Sequence, residues 1–161
     1  MAIDLLAAAR GLGLRPVGLS FHVGPQQTDP QQWRAAIAPA AWVFRGCAHY
    51  GIALELLNLG GGLRAHYRDP VPPLAAYAEA IEEGLTKEFG AARPNIMVEP
   101  GRYLVGDAGL LRTEILLISR KSTHDPERRI YLDAGIYNGF DETLNEGIHY
   151  HIRTADDGGA C

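Results

Sequence analysis

The sequence predicts an α/β fold, with strands and helices alternating around a parallel sheet and a β-rich segment following. Two observations carry this. Three apolar segments, "RPVGLSFHVG", "ALELLNLGGG" and "NIMVEPGRY", each end in glycine and reactive side chains. Their end markers His22, Gly60 and Glu99 lie 38 and 39 residues apart, with helix-like sequence filling both intervals. Strand, helix, strand at near-constant spacing predicts right-handed βαβ units. The strands are apolar on both faces, which predicts burial on both sides.

Taken in order, "MAIDLLAAARGLG" reads as a helix, not a signal peptide, because Asp4 interrupts it and no basic stretch precedes it. The first strand runs to His22 and Gly24. A helix is predicted over residues 30 to 50, with Asp29 as N-cap and Pro30 at the first helical position, where its missing N–H costs nothing. Pro39 lies inside that helix, where an interior proline costs about 3 kcal/mol or kinks the axis. Gly46 adds roughly 1 kcal/mol against it. The second strand enters Gly60–Gly62, and a helix over residues 73 to 89 is closed by Gly90. The third strand ends at Glu99, Gly101 and Arg102. Beyond residue 110, "LRTEILLISRKS" and "RRIYLDAGIYNGF" flank the polar turn "THDPE" and predict a hairpin opening a separate β-domain. The boundary falls near Gly109, giving domains 1–109 and 110–161. The chain's start reads as mid-structure, and "TADDGGAC" reads as the middle of a loop.

A net charge of −4 gives no reason to expect a nucleic-acid or membrane-surface partner. No apolar run reaches membrane-spanning length. Cys47 and Cys161 fit neither a disulfide framework nor a metal spacing, which leaves a reducing cytoplasm as the default setting.

In parallel sheets, ligands gather at the carboxyl ends of the strands. Here those ends carry His22, the glycines Gly60, Gly61 and Gly62, and the "EPGR" of Glu99 to Arg102. A glycine turn between strand and helix lets backbone N–H groups approach an anion, and Arg102 is a fixed cation suited to a phosphate. Glu99, across the Pro-Gly turn, can face a pyridine nitrogen, and His22 can lie flat on a planar ring. A phosphate, a ring and an acid in that order describe pyridoxal phosphate. Plainer readings exist for each part. The glycines read equally as a linker, "EPGR" as a tight turn with a surface ion pair, and His22 as a structural histidine. The alternating "HYH" of His149 to His151 has a spacing that suits a metal, but no further ligand cluster accompanies it, so it is read as solvent-facing with no metal site.

The motifs "GLSFHVG", "TDP", "LNLGGG" and "EPGRYLV", in this order and spacing, resemble the ornithine/diaminopimelate/arginine decarboxylase family. "EPGRY" and "HVG…TDP" resemble ornithine decarboxylases, Leu63 after the glycines leans toward diaminopimelate decarboxylases, and "YLDAGIYNGFDETLNEGIHYHIRT" resembles the bacterial lysine/ornithine branch. The resemblance implies the C-terminal half of a (β/α)8 barrel followed by the start of a β-domain, in a dimeric enzyme that decarboxylates ornithine to putrescine. It implies that His22 stacks on the cofactor ring, Gly60–Gly62 and Arg102 hold its phosphate, and Glu99 pairs with the pyridine nitrogen. Asp133 lies near the acid that reads the substrate's distal amine, with Ala134 the alternative register.

The sequence also departs from the family. Its only lysines are Lys87 and Lys121, and neither follows the motif of the family's Schiff-base lysine. Cys161 is not followed by the family's Cys-Asp pattern, and Pro25 stands where a phosphate-binding serine is usual. The expectation is therefore part of an enzyme that is inactive alone, with a non-catalytic remnant that binds cofactor or a partner subunit as the alternative. Diaminopimelate or carboxynorspermidine decarboxylase is the runner-up among enzymes.

Overall fold

The structure is a computed structural model that describes residues 1–67, 69–144, 148, 150–155 and 157. It divides into two compact units, Met1–His66 with Pro70–Gly106, and Tyr67–Asp69 with Asp107–Cys161.

In the first unit the order is α1 (Ala2–Gly11), β1 (Gly18–Ser20), α2 (Gln31–His49), β2 (Leu56–Asn58), α3 (Leu74–Phe89), β3 (Asn95–Met97) and a short α4 (Arg102–Val105). The sheet is parallel with β2 in the centre, pairing Leu57 with both Leu19 and Ile96. Each strand is only three residues long by its ladder, shorter than the apolar segments suggest.

Leu57 and Leu59 alternate along the central strand, so both face the helix layer, where they are fully buried with Trp33, Ile37, Tyr77 and Leu85. Trp33 and Tyr77 meet edge to face at 5.3 Å, joining α2 to α3. α1 packs through Ile3 and Leu6 on a smaller cluster of Val43, Cys47 and Ile52.

Helix α2 begins as the sequence predicts. Pro30 already has helical dihedrals, and the Asp29 carboxylate accepts a hydrogen bond from the Gln31 N–H at 3.0 Å. The helix continues through Pro39, which is exposed while Ile37, Ala40 and Ala41 around it are buried. Tertiary packing outweighs the local penalty. Gly46, counted against the helix on propensity, has a packing reason. A Cβ there would overlap the Ile3 side chain, so the glycine is what lets α1 approach. α3 ends at Gly90, with φ +55.

The expectation of strands buried on both faces is not met. β2 buries Leu57 on one face and leaves Leu56 and Asn58 half-buried on the other, β1 is half-buried to exposed, and β3 is exposed throughout. Ile96 is 38 % and Met97 47 % exposed. β1 and β3 are the two edge strands of the sheet, and the buried cluster gathers over the central β2.

In the second unit, β4 (Ile115–Ser119) and β5 (Arg129–Leu132) form an antiparallel pair around the "THDPE" turn, with a register irregularity between Ile115 and Leu117. Two 3-10 turns follow at Ile136–Asn138 and Asp141–Thr143. Tyr150 packs edge to face on Tyr67 and Phe140. Among the described residues, no helix is long and apolar enough to cross a membrane.

Candidate functional site

The parallel pairing brings three strand ends to one edge, and the backbone ladder continues past the strands to hold them there. Phe21 N–H donates to the Asn58 carbonyl at 3.1 Å, Leu59 N–H to Met97 at 2.9 Å, and Glu99 N–H to Gly60 at 2.9 Å. His22, the glycine turn and Glu99 are therefore neighbours across adjacent strands.

The turn needs its glycines. Gly60 and Gly62 have φ of +67 and +102, the left-handed region that side chains disfavour. A Cβ on Gly60 would overlap the Phe21 carbonyl oxygen, and one on Gly62 would overlap that of Gly24. At Gly61 the limit is the third strand, because a Cβ would lie 2.7 Å from the Glu99 carbonyl oxygen. The same position is 3.6 Å from the His22 ring at Cε1. A linker would not be wedged between two neighbouring loops in this way.

The loop carrying His22 is latched to the turn. Gln27 N–H donates to the Gly62 carbonyl at 2.9 Å, and the Gln26 Oε1 accepts from Ala65 N–H at 2.9 Å. Gln26 itself has a positive φ of +49, and its side-chain bond helps hold it there. The Tyr77 hydroxyl donates to the Gln27 carbonyl at 2.8 Å, tying the loop to α3. Arg102 is the first residue of α4, half-buried, following Gly101 at φ +41. Asp133 belongs to the second unit. There its Oδ1 accepts from Glu114 N–H at 2.8 Å, closing the end of the β4–β5 pair.

Sequence reasoning missed Asn58. Its Oδ1 accepts from Gly60 N–H at 2.9 Å, while its Nδ2 donates to Glu99 Oε1 at 2.5 Å. The available signal was a lone amide in an otherwise apolar strand end, "LLNLG". Gln26 and Gln27 were missed because their bonds run to residues distant in sequence.

Lys87 lies exposed in the last turn of α3, ahead of β3 and so at the opposite end of the strands from the glycine turn. Lys121 follows β4 and is also exposed. His151 Nε2 is 2.7 Å from the Tyr67 carbonyl oxygen, and His149 and Cys161 lie outside the described residues. Among the described residues, no three His, Cys, Asp or Glu side chains cluster to hold a metal.

A glycine turn pressed between a histidine and a glutamate stands at the carboxyl edge of a parallel sheet, the edge where α/β domains of this class bind their ligands. Residues 2–106 match the family model described as "Pyridoxal-dependent decarboxylase, pyridoxal binding domain". The chain belongs to this family, whose cofactor is pyridoxal phosphate. It is 39 % identical over 150 residues to a diaminopimelate decarboxylase of Neisseria meningitidis serogroup A, covering 92 % of this chain and 35 % of that protein. It is 34 % identical over 158 residues to a lysine/ornithine decarboxylase of Selenomonas ruminantium, covering 94 % and 37 %. The fold superposes on the lysine/ornithine decarboxylase of Vibrio vulnificus, solved with cadaverine, at a TM-score of 0.76 and 28 % identity, covering 98 % of this chain and 42 % of that one. The chain spans about a third of the length of the curated relatives it matches.

Proposed function

We propose that this chain supplies the phosphate- and ring-binding segment of a pyridoxal-phosphate-dependent decarboxylase whose substrate is ornithine and whose product is putrescine. One arrangement carries the reading: Gly61 backs onto the Glu99 carbonyl and the His22 ring at once. A cradle that any Cβ would fill, with an acid and an imidazole beside it, fits a planar group ending in a phosphate. The N–H groups of Gly61 and Gly62 and the Arg102 guanidinium hold the phosphate, while Gly60 N–H is already bonded to Asn58 Oδ1 and braces the turn. His22 lies against the ring, and Glu99 keeps a proton on the ring nitrogen. When bound, the cofactor supplies the electron sink for decarboxylation. Asp133 is the acid assigned to the substrate's distal amine. In this reading the sheet is part of a (β/α)8 barrel in a cytoplasmic homodimer, and residues 110–161 open its β-domain.

Titration with pyridoxal phosphate and with pyridoxal, followed by intrinsic fluorescence, tests the assignment. The phosphorylated ligand should bind more tightly, and Arg102→Ala should erase most of that advantage. Absence of saturable binding by the wild-type chain would overturn it. Diaminopimelate is the second substrate reading, supported by the 39 % identity to the Neisseria meningitidis enzyme. Carbon dioxide release by the full-length protein from each amino acid separates the two.

A further inference from the structure

Asn58 joins the two halves of the proposed site, and the bonding pattern fixes which way its amide points. Gly60 N–H can only donate, so the atom facing it is Oδ1. Nδ2 then faces Glu99 and donates to Oε1. Glu99 is otherwise an exposed side chain with three free torsions. Its backbone is already held by the bond from its N–H to the Gly60 carbonyl. The amide therefore fixes the remaining freedom of the acid and links it to the first N–H of the glycine turn.

We propose that Asn58 is a positioning residue for Glu99. By occupying Oε1, it turns the carboxylate so that Oε2 is the oxygen offered to the ring nitrogen of the cofactor. This deepens the proposed function and rests on it. A purely structural role would instead support the turn alone, through the Gly60 bond.

The two roles separate in Asn58→Asp. The aspartate keeps an acceptor for Gly60 N–H, has no N–H to give Glu99, and sets a like charge beside it. The measurement is the ratio of affinities for pyridoxal phosphate and for its 1-deaza analogue, in which carbon replaces the ring nitrogen. Inorganic phosphate is titrated alongside as a probe of the turn.

Asn58→Asp should lower the ratio by about three- to tenfold, the range of one lost hydrogen bond. Its phosphate affinity should fall through the repulsion of the added charge, by the same factor whether residue 99 is Glu or Gln, because that effect does not pass through Glu99. In a Glu99→Gln background, Asn58→Asp should leave the ratio unchanged, because there is no carboxylate left to orient. Asn58→Ala serves as the second variant, and should lower both the ratio and the phosphate affinity. An unchanged ratio in either Asn58 variant, or an equal loss for both cofactors, would overturn the role. If the wild-type chain itself fails to bind pyridoxal phosphate, the functional reading falls, and this one with it. Wild-type binding with a silent Asn58→Asp removes only the inference about Asn58.

Discussion

Gly61 and Glu99 are in backbone contact, so close that a Cβ on the glycine would sit 2.7 Å from the glutamate carbonyl oxygen. The contact joins β2 to β3 beyond the last ladder pair, Asn58 with Met97. Gly61→Ala should push the two loops apart, at a cost of about 1–3 kcal/mol for overpacking. Urea unfolding measures the cost. A variant as stable as wild type would show that the turn has room to spare.

Pro25 precedes Gln26, the one described non-glycine residue with a positive φ. Its loop faces the glycine turn, since Gly24 blocks a Cβ at Gly62. If the phosphate sits against this loop, Pro25→Ser adds a hydroxyl donor. A hydrogen bond to a charged group is worth about 1.5–3 kcal/mol, roughly ten- to a hundredfold in affinity. Pyridoxal phosphate titration should show tighter binding by Pro25→Ser and weaker binding by Arg102→Ala. An unchanged affinity in Pro25→Ser would place the phosphate elsewhere.

Tyr77 is fully buried, and burial raises its phenol above the ordinary value, with the Arg64 charge acting in the opposite direction. Where the folded phenol stays protonated and the unfolded one ionises, stability falls as pH rises. That fall begins near the ordinary value of about 10 and ends once the folded group also ionises. Tyr77→Phe should cost about 1 kcal/mol at neutral pH through the lost bond to Gln27. It should also lessen the loss of stability on the alkaline side. Unfolding at neutral pH and above pH 10 would check both. An alkaline limb as steep as wild type would assign that limb to other groups, Cys47 among them, whose thiol burial also raises.

The 161-residue chain alone should not decarboxylate ornithine or diaminopimelate. Covalent catalysis needs an amine at the site, and Lys87 lies at the far end of α3 from the glycine turn. The measurement is labelled carbon dioxide release against a protein-free pyridoxal phosphate control. Release above that control would mean that another group carries the chemistry.

The sequence by itself determined the alternation of strand and helix, the start of α2 at Asp29 and Pro30, the end of α3 at Gly90, and the β4–β5 pair around "THDPE". These are local signals, written in caps, breakers and periodicity. It also marked His22, Gly60–Gly62, Glu99 and Arg102 as strand-end residues, because parallel topology sends such ends to one edge. Only the tertiary structure decided what each residue meets there. The reason for three glycines is steric, set by carbonyls of Phe21, Gly24 and Glu99 that lie close in space and far apart in sequence. The same holds for Gly46 and for the survival of α2 through Pro39, where packing outweighs propensity. It holds most of all for Asn58. Nothing in its sequence neighbourhood shows that one amide spans from Gly60 to Glu99, since that pairing exists only once β2 and β3 lie in register.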